Sequence, residues 1–189
     1  VFYILLQRKH IKMDNIKLLE PTIEYEKDIL QFRQEILLSN DKDKFAGCGN
    51  LKQCLSAKEW IDTINLYKTT QTCPKDRVPS NIYLAIRERD HKIVGIIDLR
   101  YHINHPILGT WGGHMGYYVR PTERNKGYAK EMVRQNLQNC KNLNIRKVLI
   151  TCDIDNIASK KTILANGGIF EKNIEVDGCI IQRYWISID

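Results

Sequence analysis

The segment that most constrains this fold is residues 117–129, which read Tyr-Tyr-Val-Arg-Pro-Thr-Glu-Arg-Asn-Lys-Gly-Tyr-Ala. Arg120-Pro121 ends a strand, because proline cannot donate to a central ladder and biases the preceding residue towards extended backbone. A helix is predicted to begin near Lys126-Gly127, because apolar residues recur downstream at helical spacing. The residues predicted on its buried face are Ala129, Met132, Val133 and Leu137. The segment therefore predicts a strand, a short turn and a helix.

The turn is predicted to be an anion-binding site. It carries Arg-x-x-Gly-x-Ala, from Arg124 to Ala129. The first N–H groups of a helix lack intrahelical partners and the helix dipole is positive there, so main-chain donors can hold a diphosphate. Arg124 and Lys126 would add charge, and Gly127 would let the ligand approach the backbone closely. These six residues alone fit an ordinary basic loop before a helix equally well, so a second motif is needed to decide.

A second strand and helix are predicted downstream. Residues 145–152 have a continuous apolar centre, as expected for a strand covered on both faces. Asp155 or Asn156 can cap the helix that follows, and Asn166-Gly167-Gly168 ends it with residues that tolerate left-handed backbone. The sequence thus contains two strand–helix units in succession.

Together, the two motifs resemble the GNAT superfamily of acyl-CoA-dependent N-acetyltransferases. The first is Gly-Tyr-x-Val-x-Pro-x-x-Arg-x-x-Gly-Tyr-Ala at 116–129, and the second is Asn-x-Ala-Ser at 156–159 with Asn-Gly-Gly at 166–168. The Asn-x-Ala-Ser form is most similar to the branch that contains ribosomal-protein N-terminal acetyltransferases and many uncharacterised bacterial acetyltransferases. The resemblance extends over most of residues 14–188, and its specific residues lie between 113 and 168.

The resemblance implies a site for acetyl-CoA at these motifs. The residues it assigns to the coenzyme diphosphate are Arg124, Asn125, Lys126, Gly127, Tyr128 and Ala129. It also implies that the strand from His114 to Val119 parts from the strand at 145–152 and leaves a wedge for pantetheine. Backbone N–H groups near Tyr118 and Val119 would then polarise the thioester carbonyl. Asn156 matches the family asparagine that contacts the coenzyme arm, and it also fits a plain helix cap.

Acetyl transfer to an amine requires a neutral amine and a proton, or other stabilisation, for the leaving thiolate. The family residues for these roles are replaced, the strand glutamate by His114 and the helix tyrosine by Ile163. His114 is the predicted proton acceptor, because imidazole titrates near neutral pH, unless it points away from the cleft. Ser159 is the predicted donor to the coenzyme sulfur, unless it bonds its own backbone. Asp153 and Asp155 fit either attraction of a cationic amine or loop and cap roles.

Composition narrows the class of function. The formal net charge is +7, but Arg8, Lys9 and Lys12 supply part of it and the other charges are interspersed, which argues against a nucleic-acid surface. The apolar run at 1–6 is too short to span a bilayer and lacks the order of a signal peptide, so no membrane association is predicted. The six cysteines show no Cys-x-x-Cys pair, so we expect free thiols in a reducing cytoplasm and no metal site.

The whole chain predicts the element order β-α-α-β-β-β-α-β-α-β-β. A strand at 15–19 precedes a helix over 22–38, and the capping box Ser56-Ala57-Lys58-Glu59 opens a second helix. The predicted hairpin strands are 81–88 with 92–102 and 169–174 with 179–188. The fold class is α+β (α/β layered). The resemblance adds a mixed, largely antiparallel sheet with splayed central strands and helices on both faces.

Residues 13–189 are expected to form a single N-acetyltransferase domain. Residues 1–12 are expected to be an extension, an upstream-translated segment or a cloning artefact. In the family, two loops shape the acceptor site, and they correspond here to 39–55 and 103–112.

The function that fits best is a cytoplasmic enzyme that moves an acetyl group from acetyl-CoA to a primary amine in a ternary complex. The amine acceptor is left open between a protein N-terminus, a small metabolite and an aminoglycoside-like antibiotic, and a homodimer is also left open. The rival from another class is a sensor or scaffold that binds acyl-CoA without catalysis, which is an alternative because the family glutamate and tyrosine are missing. A nucleic-acid-binding protein is the weakest alternative.

Overall fold

The computed structural model describes residues 14–42 and 44–189. Its strands are β1 (Ile16–Leu19), β2 (Ser80–Arg87), β3 (Ile93–Arg100), β4 (Tyr117–Val119), β5 (Lys147–Asp153), β6 (Ile169–Val176) and β7 (Cys179–Ser187). Its α-helices are α1 (Glu26–Leu38), α2 (Ala57–Leu66), α3 (Tyr128–Asn142) and α4 (Ile157–Ala165). Short 3-10 turns occupy Ile23–Tyr25 and Pro121–Glu123, and a π-helical turn occupies Leu108–Gly112. The predicted element order and α+β class are confirmed, and the segment 1–12 lies outside the described residues.

The predicted capping box at the start of α2 is formed. The side chain of Ser56 accepts a hydrogen bond from the N–H of Glu59 at 3.1 Å. The carboxylate of Glu59 in turn accepts from the N–H of Leu55 at 2.8 Å. Two N–H groups near the helix start are therefore satisfied by side chains. In the simplest form of the motif, Glu59 would accept from the N–H of Ser56, whereas here it accepts from the residue before it.

The strands form two sheets, ordered β1-β2-β3-β4 and β5-β7-β6. All the strand pairs in the described residues are antiparallel. The sheets meet where the N–H of His114 donates to the carbonyl of Leu149 at 2.8 Å. Past this junction, β4 and β5 separate, which is the predicted splay of the central strands.

Apolar side chains are buried on both faces of the sheets. One cluster packs α1 and α2 against the first sheet, with Phe32 and Trp60 fully buried in it. The other packs α3 and α4 against both sheets around Met132, Ile163 and Tyr184. The helices therefore cover both faces, as the resemblance implied. In the described part of the chain, none of the helices is long and apolar enough to cross a membrane.

A buried arginine ties α1 to the end of β4. Arg120 is 0% exposed, and it donates to Asp28 at 2.7 Å and to Glu35 at 2.9 Å, both on α1. It also donates to the carbonyl of Ile93 at 2.8 Å. Because removing one partner of a buried ion pair leaves an uncompensated charge, this network fixes the strand that leads into the following loop.

Candidate active site

The edge of β4 that faces β5 is open past the junction of the sheets. Two hydrogen bonds flank β4: the N–H of Arg120, just after it, donates to the carbonyl of Val94, and the carbonyl of Gly116, just before it, accepts from the N–H of Asp98. The even-numbered residues along this strand therefore direct their backbone groups to β3. Because these directions alternate along a strand, the N–H groups of Tyr117 and Val119 point to the open edge. Of the two residues predicted to polarise the thioester carbonyl, Val119 presents its N–H to the gap, whereas Tyr118 pairs with β3.

The loop at 124–129 curls at the N-terminus of α3. It is called the coenzyme loop below, after the role that the resemblance assigns to it. Asn125 and Gly127 both have left-handed backbone, with φ of +61° and +87°. Asparagine tolerates this region better than most residues, and glycine enters it without strain. Tyr128 is buried and Ala129 is half-buried in the first turn of α3. A curled loop before a helix gathers main-chain N–H groups into a concavity, so its geometry fits a diphosphate.

The side chain of Arg124 is tied to the loop at 39–55. Its terminal nitrogens donate to the carboxylate of Asp41 at 2.8 and 2.6 Å, and its guanidinium carbon lies 5.1 Å from the ring centre of Tyr118. The hydroxyl of Tyr118 also donates to Asp41. Hydrogen bonds from Arg124 hold the pKa of Asp41 far below its ordinary value, so this pair is ionised at neutral pH. Arg124 therefore links the coenzyme loop to a loop on the other side of β4.

Lys126 is held by a buried carboxylate, that of Glu123. This carboxylate accepts from Lys126 at 2.7 Å, from Lys92 at 3.0 Å and from Arg87 at 2.7 Å. Burial alone would raise the pKa of Glu123, but hydrogen bonds from the three cations lower it to about 2. Arg87 also donates to the hydroxyl of Tyr128 at 3.3 Å, which anchors the start of α3. With Arg124 and Lys126 both paired to acids, main-chain groups are the principal donors of the coenzyme loop.

His114 lies buried at the junction of the two sheets. Its Nδ1 accepts a hydrogen bond from the N–H of Leu149 at 2.9 Å. Burial lowers the pKa of His114 to about 4, so the ring is neutral at neutral pH. Because Nδ1 is the acceptor, the hydrogen of the neutral ring is on Nε2. In this arrangement, His114 has no free lone pair for an incoming proton.

Ser159 lies in the first turn of α4 and meets Tyr117 from β4. Their hydroxyl oxygens are 2.8 Å apart. Burial raises the pKa of Tyr117 well above its ordinary value, so its hydroxyl keeps its proton. Asn156 caps the same helix by accepting from the N–H of Ser159 at 3.0 Å. The sequence interpretation gave Tyr117 no role, although the Gly-Tyr of the first motif marked its position beside the gap.

A cavity of about 440 Å³, hereafter the acceptor cavity, lies on the α1 and α2 side of the first sheet. Phe45 and Gly47 line it from the loop at 39–55, and His105 and Leu108 line it from the loop at 103–112. These are the two loops that the resemblance associates with the acceptor. The structure therefore brings together two loops that are far apart in the sequence.

Asp98, on β3, joins the acceptor cavity to β4. Its carboxylate accepts from the N–H of Gly116 at 2.5 Å and pairs with Arg100 at 2.9 Å. Burial raises the pKa of Asp98. Gly116 in turn packs against Gly47, where an added Cβ would lie 2.1 Å from the carbonyl oxygen of Gly116. The acceptor cavity is thus in direct contact with the strand that precedes the coenzyme loop.

Asp153 is the last residue of β5, and Asp155 lies in the turn that leads into α4. The carboxylate of Asp153 accepts from the N–H of Asp155 at 2.9 Å. Neither residue lines the acceptor cavity. This geometry favours loop and cap roles for both over contact with the amine.

Comparisons with known proteins agree with this architecture. A protein provisionally assigned as a ribosomal-protein-serine acetyltransferase, from Vibrio cholerae, has a TM-score of 0.63 at 15% identity over 92% of this chain and 94% of that one. The microcin C7 self-immunity acetyltransferase MccE, solved with acetyl-CoA and AMP, has a TM-score of 0.61 at 18% identity over 93% of both chains. YncA from Salmonella typhimurium, provisionally described as an acetyltransferase and solved with its cofactor acetyl-CoA, has a TM-score of 0.59 at 9% identity over 92% and 94%.

At these identities, the solved structures show a shared fold. No curated protein matches the sequence. The model of the acetyltransferase (GNAT) domain matches residues 19–169, which is most of the chain and includes the coenzyme loop, β5 and α4. The chain therefore belongs to the GNAT family of acetyltransferases, enzymes that use acetyl-CoA as the acetyl donor.

Proposed function

We propose that this protein transfers the acetyl group of acetyl-CoA to a primary amine by direct attack in a ternary complex. The observation that carries the proposal is the open edge of β4, which lies between the coenzyme loop and the acceptor cavity. The N–H of Val119 points to the gap, and Asp98 contacts the same strand from the cavity. A polarising donor between two binding sites is what direct transfer between two bound substrates needs.

The coenzyme loop is proposed to hold the diphosphate of acetyl-CoA, which supplies the activated acetyl group when bound. The donors are the main-chain N–H groups of residues 124–129 at the start of α3. Their support comes from the left-handed backbone of Asn125 and Gly127 and from the ion pairs that hold the loop from both sides. Asn156, which caps α4, is proposed to contact the coenzyme arm.

In the transfer, the amine nitrogen bonds to the acetyl carbon and the carbon–sulfur bond breaks. The amine loses one proton and the sulfur gains one, so the overall step releases a proton only if the amine enters protonated. We assign the proton for sulfur to Ser159, backed by the Tyr117 hydroxyl 2.8 Å away. This pair would stand in for the helix tyrosine that the family places where this chain has Ile163.

His114 is proposed to hold β4 against β5 rather than to take the proton of the amine. It could accept a proton at Nδ1 only by giving up its hydrogen bond to the N–H of Leu149. The amine that attacks is proposed to be the neutral fraction present in solution, so no base of the protein is assigned to it. The proton is proposed to leave through the acceptor cavity, beside Asp98.

Release of free thiol from acetyl-CoA, followed with a thiol reagent across a panel of primary amines, tests this function. We expect amine-dependent release and addition of one acetyl group to the amine by mass spectrometry. Initial rates with both substrates varied should give intersecting lines, as a ternary complex requires. Tight binding of coenzyme A by calorimetry without amine-dependent release would support the acyl-CoA sensor instead.

A further inference from the structure

The acceptor cavity carries balanced charge. Its charged lining residues are Asp76, Arg77, Asp98 and Arg100. Net negative charge favours a polyamine and net positive charge favours a polyanion, whereas balanced charge favours a ligand that carries both signs. The volume of about 440 Å³ is that of a small-molecule site. Charge and size together indicate a small ligand with a cationic and an anionic group.

Asp98 is the group suited to the cation. Its carboxylate makes one hydrogen bond to Gly116 and one ion pair with Arg100, and a carboxylate has about four acceptor positions, so it can also accept from an ammonium group. Arg100 is less available to an anion, because its Nη1 donates to the carbonyls of Gly112 and Gly113 at 2.7 and 3.1 Å. The inner wall of the cavity therefore favours an amine beside β4.

Arg77 is the group suited to the anion. Its guanidinium carbon lies 5.0 Å from the ring centre of Tyr67, and the ring of Tyr67 is buried. Among residues 14–42 and 44–189, no acid forms a salt bridge with Arg77, in contrast to Arg87, Arg120 and Arg124. Arg77 itself is exposed, and its contact with the Tyr67 ring favours one orientation of the guanidinium, which suits two parallel hydrogen bonds to a carboxylate.

We propose that the amine acceptor is a small amino-acid-like zwitterion, with its ammonium group at Asp98 and its carboxylate on Arg77. This inference rests on the proposed acetyl transfer and names the substrate class of the same site. The acceptor nitrogen bonds to the acetyl carbon and the carbon–sulfur bond breaks. The ammonium group loses two of its three protons, so that the sulfur gains one proton and one is released to solvent. A protein N-terminus has no carboxylate close to its amine, and a polyamine would place a second cation against Arg77.

Rates of acetylation across matched amines test the substrate class. The panel contains free amino acids with increasing separation of amine and carboxylate, the carboxamide of each, spermidine and a short peptide with a free N-terminus. We expect kcat/KM for the best amino acid to exceed that of its carboxamide by about tenfold or more, because the carboxamide lacks the charge that Arg77 recognises. Spermidine or the peptide as the best acceptor would overturn the proposal.

Arg77 variants show whether the preference comes from this side chain. Arg77→Gln should remove the preference for the carboxylate over the carboxamide, and Arg77→Glu should raise kcat/KM for spermidine. The control is Lys75→Gln, which removes an exposed cation from the same segment but does not line the cavity, and it should leave the preference unchanged. A preference that survives Arg77→Gln would overturn the assignment.

Binding measurements separate failure of the substrate class from failure of the proposed function. The best amino acid is titrated into the protein saturated with coenzyme A, with and without Arg77→Gln. Arg77-dependent binding without turnover of any amine would support the substrate class and reject acetyl transfer. Turnover with equal rates for amino acids and carboxamides would support acetyl transfer and reject the substrate class.

Discussion

The coenzyme loop and the acceptor cavity adjoin the same strand, β4, but are built in different ways. The coenzyme loop is six consecutive residues whose proposed donors are main-chain N–H groups, and its backbone is shaped by Asn125 and Gly127. The acceptor cavity takes its side chains from separate stretches between Phe45 and Leu108. A site made of backbone depends on local conformation, whereas a site made of side chains depends on which segments the fold brings together. The two sites should therefore respond separately to mutation, apart from the Arg124–Asp41 pair that joins them.

The largest effect on kcat is expected from Tyr117 and Ser159, which lie beside the gap between β4 and β5. Tyr117→Phe and Ser159→Ala should each lower kcat by about 100-fold, because proton transfer by a positioned group contributes at least this much in many enzymes. Calorimetry should give an unchanged Kd for coenzyme A, and the control Tyr101→Phe should keep full activity. A normal kcat in Tyr117→Phe would remove this residue from the mechanism and leave Ser159 alone.

Gly47→Ala should weaken binding of the amine without changing binding of coenzyme A. The substitution should lower the free energy of unfolding by about 3 kcal/mol, from left-handed backbone and a clash with Gly116. It should raise KM for the amine, while the Kd of coenzyme A stays constant. The matched control is Gly178→Ala, which has a similar φ of +78° but nothing within 4 Å of the added Cβ. Equal unfolding curves in denaturant for the two variants would contradict the close packing of Gly47 on Gly116.

Gly127→Ala should weaken binding of coenzyme A without changing the acceptor cavity. Its φ of +87° makes a side chain unfavourable by about 1–2 kcal/mol, which we expect as about a tenfold rise in the Kd of coenzyme A. Gly167→Ala is the control, because it has a φ of +84° at the end of α4, outside the coenzyme loop. The control should lose stability without losing coenzyme affinity. Loss of affinity in both variants would mean that the effect comes from lower stability in general and not from the coenzyme loop.

His114→Asn should have the smallest effect on the rate. Asparagine can still accept from the N–H of Leu149, so the shape of the kcat/KM profile near neutral pH should not change. The pH dependence of stability should distinguish the variant from the wild type. The His114 ring binds a proton near pH 6.5 in the unfolded chain, whereas burial lowers its pKa to about 4 in the folded chain. The wild type should therefore lose stability as the pH falls through this window, and the variant should lose less. Loss of the acidic limb, which is the fall in rate at low pH, from the profile of the variant would restore His114 as the base.

Much of the coenzyme side followed from local sequence. The Arg120-Pro121 step, the glycine at 127 and the Asn156 cap all act through the backbone of their neighbours, and the structure has a strand end, a left-handed turn and a capped helix at these positions. The splay of β4 from β5 came from the family resemblance. The partners of the side chains did not follow from local sequence. Arg124 was expected to face the phosphate, and the structure pairs it with Asp41.

The surroundings of His114 also did not follow from local chemistry. Imidazole was expected to titrate near neutral pH, but burial lowers the pKa of His114 to about 4, and its Nδ1 is occupied by the N–H of Leu149. Tyr117 and Ser159 are separated by 42 positions in the sequence, and no spacing rule relates them. Both outcomes depend on what surrounds a side chain after folding.

The sequence by itself determined the order of the elements and the turn before α3, because these depend on hydrophobic periodicity and on the few residues that tolerate left-handed backbone. Its two motifs also carried the resemblance to the family. Only the tertiary structure decided the charge balance of the acceptor cavity, the pairing of Arg124 with Asp41 and the contact between Tyr117 and Ser159. The physical reason is the distance along the chain over which each property is determined. Backbone conformation is set mainly by neighbouring residues, whereas ion pairs, burial and pKa values are set by groups that meet only when distant segments pack together.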